Sequence, residues 1–145
     1  MLLTEFDANR QAIINPEALH EPLEGVPKIA VSCFSRLTFQ RMLEMFPHEL
    51  IYETSMANVA IPIYKLVIDD NELAIFKAPV GASTCVGILE DIFVLGADKH
   101  VLFGTCGVLD EDIKETSIII PSHALRDEGT SFHYVEASDE IAVNV

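Results

Sequence analysis

The segment Gly104-Thr105-Cys106-Gly107 places a hydroxyl and a thiol between two glycines, directly after an apolar run that ends at Phe103. Glycine can adopt positive φ values and lets a ligand come close to the backbone. A buried strand that ends in such a turn predicts the floor of a small-molecule pocket. A tight turn after a core strand is the simpler interpretation of this segment alone.

Two further segments place anion-binding groups where an apolar run meets the start of a helix. Arg36 follows the run from Lys28 to Phe34, and Gly81 precedes the hydroxyls of Ser83 and Thr84. The free N–H groups and the dipole of a helix N-terminus favour an anion, and an arginine adds a fixed fork of donors. Taken singly, Arg36 is explained as a surface arginine and Ser83 as an ordinary helix cap. Together, the three strand ends predict one site at one sheet edge, because ligands bind beyond the carboxyl ends of strands.

Hydrophobic periodicity predicts the elements that position these segments. Predicted strands cover residues 28–34, 50–55, 59–68, 72–78, 99–104 and 117–120. Predicted helices begin after Ser35 and at Ser83, and they end at Pro47 and Gly96. This order of elements predicts an α/β domain in which helices flank a mixed β-sheet.

Turn residues and proline predict the connections and the less regular parts. Asp69-Asp70-Asn71 predicts a hairpin turn, and Pro62 predicts an edge or a bulge in its strand. Residues 1–27 are expected to form an N-terminal arm with one helical turn at Asn15-Pro16-Glu17. Residues 28–145 are expected to belong to a single domain, with a polar loop after Pro121.

The composition excludes one class of function and indicates a compartment. The 145 residues carry 23 acids against 9 bases, a net charge of −14, so a nucleic-acid partner is not expected. The chain has no apolar run long enough to span a bilayer, and its start lacks a signal-peptide pattern, so no membrane partner is expected. Cys33, Cys85 and Cys106 have neither disulfide nor zinc spacing. A cytoplasmic protein with reduced thiols is therefore predicted.

The segment from Arg126 to Tyr134 gathers many functional side chains around one glycine. A solvated loop with a local arginine–carboxylate pair is the simpler interpretation. Ser131, His133 and Asp139 have the composition of a hydrolytic triad, and Cys106 is a second candidate nucleophile, without a partner base. No metal site is predicted, because the histidines in this region lack a third ligand at zinc spacing.

These motifs resemble those of nucleoside phosphorylases of the uridine and purine branch. Gly104-Thr105-Cys106-Gly107 is similar to the family's Gly-Thr/Ser-Thr/Cys-Gly signature, and Pro79-Val80-Gly81-Ala82-Ser83 resembles its Gly-Ile-Gly-Gly-Pro-Ser helix start. Arg126-Asp127-Glu128-Gly129-Thr130-Ser131 is similar to a later family loop. The resemblance runs from Lys28 to Tyr134, with the motifs in the family's order.

The resemblance implies a three-layer α/β/α fold and phosphorolysis, in which phosphate attacks the anomeric carbon of a nucleoside and the base leaves. By position, it assigns phosphate binding to Arg36, Gly81 and Thr105. It places Thr105, Cys106 and Gly107 beside the nucleoside. Phosphate is then a co-substrate, no cofactor or metal is expected, and the chain is expected to form a homo-oligomer.

The chain departs from the family pattern at two phosphate-binding positions. Leu102 stands where the family has a second arginine, and a third has no counterpart after the first helix, which makes Arg126 a candidate substitute. The resemblance also leads us to expect that the C-terminal part of the domain is missing, including the general acid, and that the chain is inactive alone. The alternative is a non-catalytic nucleoside-binding, anion-binding or assembly module that keeps the fold.

Overall fold

The computed structural model describes residues 4–114 and 118–143. Two units are distinguished: Ile13–Thr105, and the described residues of Met1–Ala12 with Cys106–Val145. The elements of the first unit are, in chain order, β1 (Ile29–Cys33), α1 (Arg36–Met45), β2 (His48–Met56), β3 (Val59–Ile68), β4 (Asn71–Lys77), α2 (Ala82–Leu95) and β5 (Lys99–Phe103). A 3₁₀ turn at Pro16–Ala18 precedes them, where the sequence predicted a helical turn.

The five strands of the first unit form one mixed sheet in the order β2-β3-β4-β1-β5. β1 runs parallel to β4 and to β5, whereas β2, β3 and β4 pair antiparallel. Cys33 at the end of β1 pairs with Lys77 of β4 and with Phe103 of β5. The carboxyl ends of these three strands therefore lie side by side at one edge, and the predicted mixed sheet is confirmed.

One helix covers each face of the sheet, and this arrangement gives the three layers expected from the resemblance. Side chains of alternate residues along a strand point to opposite faces. Ala30 and Phe76 pack with Ile88 and Ile92 of α2. Cys33, Leu66 and Ile75 pack with Phe39 of α1 on the opposite face; all four side chains are at least nine-tenths buried.

The hairpin turn and the position of Pro62 confirm the predictions made from their residue types. Asp69 and Asp70 both have positive φ, at 47° and 63°, which a two-residue hairpin loop requires because its twist must match that of the strands. Pro62 pairs with Glu53 of β2, and the pairing of β3 with β4 begins only at Ile63. Pro62 therefore lies where β3 pairs with a neighbouring strand on one side only. Proline favours such a position because it has no N–H to donate to a second strand.

The helix ends confirm two predictions and correct a third. Ser35 caps α1, because its hydroxyl accepts a hydrogen bond of 3.1 Å from the amide of Thr38. Gly96 ends α2 with a φ of 135°, which only glycine adopts easily. The N-cap of α2 is Gly81 and not Ser83, which lies inside the helix. Gly81 has no side chain, so no side-chain cap satisfies the first amides of α2.

The C-terminal region differs from the prediction in two ways. Ile118, Ile119 and Ile120 are exposed and form no strand, although the sequence predicted one over 117–120; Ser117 lies outside the described residues. Apolar residues that are followed by a proline can predict a strand but cannot supply the partner strand it needs. After Pro121, two short strands, β6 (His123–Leu125) and β7 (Glu140–Ala142), pair antiparallel where a loop was predicted.

The segment before β1 packs against α2 through a polar cluster. His20 Nε2 lies 3.0 Å from Asp91 Oδ1, and Thr54 donates a hydrogen bond of 2.9 Å to the other carboxylate oxygen. The hydroxyl of Tyr52 lies 3.2 Å from His20 Nδ1. Both oxygens of a half-buried carboxylate are thus satisfied, as burial of a charge requires. These contacts fix residues of the predicted arm onto the sheet unit.

His100 makes the stability of the sheet dependent on pH. Its ring stacks on Phe76 at 5.8 Å between centroids, and its Nε2 lies 2.8 Å from Ser32 Oγ. Burial lowers the pKa of His100. As pH falls through about 6.5, the unfolded chain takes up the proton first, so the folded state loses stability.

We expect His100→Gln to remove this part of the acid sensitivity, because glutamine keeps a polar group near Ser32 and does not titrate. Urea unfolding at a series of pH values measures it. The stability advantage of the wild type over the variant should shrink as pH falls from about 8 to about 5. An advantage that stays constant over this range would contradict the assignment.

Candidate functional site

The candidate site lies where the parallel strands β4, β1 and β5 end. Backbone pairing continues one residue past β4, because the amide of Ala78 donates a hydrogen bond of 2.9 Å to the carbonyl of Cys33. The segments that follow β1 and β4 therefore leave the sheet together. The sequence predicted that the segments after these strands share one sheet edge, because ligands bind beyond the carboxyl ends of strands.

Arg36 is the first residue of α1 and follows Cys33, the last residue of β1, by three residues. Its side chain is exposed and lines a cavity of about 510 Å³. The cavity also receives the aromatic side chains of Phe34, Phe39 and Tyr64. A guanidinium at the mouth of a partly apolar cavity can hold an anion more strongly than it would in open water, because the local dielectric is lower.

Lys77 is a second cation of the same cavity, and the sequence reasoning did not single it out. It is the last residue of β4, and it pairs with Cys33 at the end of β1. The available signal was a basic residue at the end of an apolar strand, directly before Ala78 and Pro79. That signal is weak without the pairing of β1 with β4, which brings residue 77 beside the start of α1.

Gly81 opens α2 with φ 106° and ψ 134°, a backbone conformation that a side chain strongly disfavours. A Cβ at this position would still find space, since its nearest neighbour is Thr84 Oγ1 at 3.8 Å. The glycine is therefore required by conformation and not by crowding. The first amides of a helix have no partner within the helix, and an anion can accept hydrogen bonds from them.

Thr105 follows β5 by two residues and is exposed. The preceding Gly104 lies against the ring of Phe34, because a Cβ on Gly104 would approach Phe34 Cδ2 to 3.3 Å. The segments after β1 and β5 are thus in contact. The structure brings the segments of Arg36, Gly81 and Thr105 to one sheet edge, but only Arg36 among these three lines the 510 Å³ cavity.

Cys106 and Gly107 belong to the other unit, where Cys106 is an exposed free thiol. Cys33 and Cys85 are also free, and burial raises the pKa of both thiols. A raised pKa keeps a thiol protonated and unreactive at neutral pH. A Cβ at Gly107 would meet no atom within 4 Å.

Arg126 also belongs to the second unit, where its guanidinium organises the loop between β6 and β7. It is 7% exposed. It donates to Ser131 Oγ and Ser138 Oγ, each at 2.9 Å, and to the carbonyls of Val135 and Glu136. A role of Arg126 in phosphate binding stays a prediction, and such a role would need some of these donors to be released.

Ser131 is occupied by the same network. Its hydroxyl accepts from Arg126 and donates to Glu128 Oε1. The hydrogen bond from Ser131 is the main cause of the lowered pKa of Glu128, to which the charge of Arg126 also contributes. Glu128 thus accepts the hydrogen bond that the hydroxyl would donate to His133 in a hydrolytic triad. In the part of the chain that the structure describes, no group of three or more acidic, histidine or cysteine side chains is arranged to hold a metal ion.

The described helices include none that is long and apolar enough to cross a bilayer. The sheet unit is a three-layer α/β structure in which three parallel strands end at one edge. The chain belongs to the phosphorylase superfamily, whose family model matches residues 28–144.

Similar proteins agree with this assignment. A uridine phosphorylase of Vibrio fischeri ES114, solved with 6-hydroxy-1-naphthoic acid, superposes with a TM-score of 0.66 at 22% identity. That match covers 77% of this chain and 45% of the other. A second structure of the Vibrio fischeri uridine phosphorylase has a TM-score of 0.54 at 17% identity, with 72% and 42% of the two chains covered.

A guanosine phosphorylase of Halorubrum lacusprofundi is 28% identical over 74 residues. That alignment covers 49% of this chain and 31% of the relative. The aligned parts of this chain therefore cover less than half of each of these three proteins. The structural likeness establishes the fold, and the family match establishes the superfamily.

Proposed function

We propose that the protein containing this chain cleaves a nucleoside with phosphate, releasing the free base and ribose 1-phosphate. A phosphate oxygen forms the new bond to the anomeric carbon while the bond from that carbon to the base nitrogen breaks. The electron pair of the broken bond leaves with the base, which then takes up a proton. The superfamily match over residues 28–144 is the observation that carries this proposal.

In this proposal, phosphate is held by Arg36, by the amides that follow Gly81, and by Thr105. Their segments all begin at the carboxyl ends of neighbouring parallel strands, the usual ligand position in open α/β sheets. Thr105, Cys106 and Gly107 are proposed to lie beside the nucleoside. Catalysis then comes mostly from positioning phosphate below the sugar and from stabilising charge as the base departs.

The substrate is proposed to be uridine or a purine nucleoside. The names of the similar proteins, uridine phosphorylase and guanosine phosphorylase, support both choices. The protein is also proposed to act as a homo-oligomer. Exposed apolar side chains on the edge strand β5, which include Val101, Leu102 and Phe103 at 45% exposure or more, support an assembly that covers this strand.

Base release measured with and without phosphate tests the proposed reaction. The protein as expressed from its own gene is incubated with uridine, inosine or guanosine, and free base is separated by chromatography. We expect release only when phosphate is present, because phosphate is the nucleophile. Release at the same rate without phosphate would indicate hydrolysis and contradict the proposal.

A non-catalytic binding module is the second candidate. The presence of Leu102 at the position of the expected arginine favours it. Calorimetric titration with phosphate and then with ribose 1-phosphate separates the two candidates. Heat of binding without any base release would support the module, whereas phosphate-dependent release supports the enzyme.

A further inference from the structure

Arg36 and Lys77 are two basic side chains of the sheet unit that lie beside the same cavity. Within residues 4–114 and 118–143, neither forms a hydrogen bond or an ion pair through its side chain. The same holds for Arg41 and Lys99, whereas Lys28 donates to the carbonyl of Gly96 and Lys65 pairs with two glutamates. Arg36 and Lys77 differ from the other two unpaired bases because they line one cavity together.

Both cations line the 510 Å³ cavity, and the described residues that line it include no carboxylate. Two like charges that share a cavity repel each other, and partly apolar walls reduce the screening by water. A bound anion would remove this repulsion and gain attraction from both groups. The chain has 23 acids against 9 bases, so a cavity lined by two bases and no carboxylate departs from its overall charge balance.

Strand pairing places Lys77 on the same side of the sheet as α1. Lys77 and Ile75 point to one face, because they are two residues apart in β4. Ile75 packs in the cluster that includes Phe39 of α1. Cys33, the pairing partner of Lys77, precedes Arg36 by three residues. The last residue of β4 and the first residue of α1 are therefore neighbours across the end of the sheet.

We propose that Lys77 is the second phosphate-binding cation of this chain and that it acts with Arg36. This inference rests on the proposed function, since the anion is the phosphate of that reaction. Arg36 presents a planar fork that can donate two hydrogen bonds to one phosphate. Lys77 adds a mobile point charge on the adjoining strand end. The pair supplies locally the positive charge that Leu102 does not supply.

Calorimetric titration of inorganic phosphate into the whole 145-residue chain tests the role of Lys77. We expect Lys77→Gln to weaken phosphate binding by about tenfold or more, the effect of losing a hydrogen bond to a charged group. Arg36→Gln should weaken it at least as much, and Lys77→Arg should retain most of the affinity. Since Lys77 is exposed, the variants should keep the circular dichroism and the urea midpoint of the wild type.

Lys99→Gln is the matched control, because it removes the same charge at the amino end of β5, on the opposite edge of the sheet. Its phosphate affinity should stay within about twofold of the wild type, since its charge is screened there. Equal losses for the two lysine variants would reduce the effect to net charge and overturn the inference. Wild-type affinity in Lys77→Gln with a loss in Arg36→Gln would also overturn it and leave the proposed function standing. If the wild type binds no phosphate, both proposals fail at the phosphate site.

Discussion

Replacing Phe76 with alanine should lower the free energy of unfolding by about 3–5 kcal/mol, the range for truncating a buried aromatic side chain. Phe76 is fully buried, in β4 between β3 and β1, where it pairs with Ile63 and Ser32. It packs in the cluster that joins the sheet to α2, and it stacks on His100. Truncation would therefore open a cavity at the centre of the sheet that no single neighbour can fill.

Urea unfolding measures the effect of Phe76→Ala, and two variants serve as controls. Phe76→Leu keeps most of the volume and should cost less than half as much. Phe103→Ala removes an aromatic side chain that is 56% exposed on the edge strand, so it should change stability little. A loss below about 1 kcal/mol for Phe76→Ala, the centre of the distribution for all substitutions, would contradict the packing described.

Gly81→Ala is expected to affect both stability and phosphate binding. The φ of 106° strains any residue that carries a Cβ, at a cost of about 1–3 kcal/mol. Relief of this strain would rotate the peptide that opens α2 and turn its first amides away from the sheet edge. Phosphate binding should therefore weaken by about tenfold, a loss comparable to that of one hydrogen bond to a charged group.

Gly25→Ala is the matched control for this prediction. Gly25 also has a positive φ, at 85°, and a Cβ there would meet no atom within 4 Å. It precedes β1, at the amino edge of the parallel strands, so its alanine variant should lose stability and keep phosphate affinity. Urea unfolding and phosphate calorimetry on both variants separate the two effects. If Gly81→Ala binds phosphate as the wild type does, the α2 amides have no part in the site.

Much of the sheet unit could be predicted because its signals are local. Ser35 ends an apolar run and caps the helix that follows, and Gly96 stops the second helix. The paired aspartates at residues 69 and 70 carry the chemistry of a tight hairpin, and the structure has that hairpin. Each of these features depends on backbone propensity within a few residues, so the sequence contains the whole cause.

The second unit could not be predicted in this way. Its strands β6 and β7 have three residues each, too few to produce an alternating pattern. The isoleucines at 118–120 are the apolar, β-branched residues that favour a strand, yet they form none. A strand needs a neighbouring strand to pair with its backbone. Arg126 is another example of what the sequence could not predict. An arginine is a common ligand-binding residue, but this one donates its hydrogen bonds to Ser131 and Ser138 of the surrounding loop.

The sequence alone determined the acidic charge balance and the motifs that resemble those of a phosphorylase. It also predicted the mixed sheet and the positions of the helices. The tertiary structure decided which side chains share a cavity. Lys77 illustrates the difference: its position at the end of a strand is readable in the sequence, but its closeness to Arg36 depends on β4 pairing beside β1. Pairing between distant segments is set by the summed burial of both sheet faces, and no local pattern of residues contains that sum.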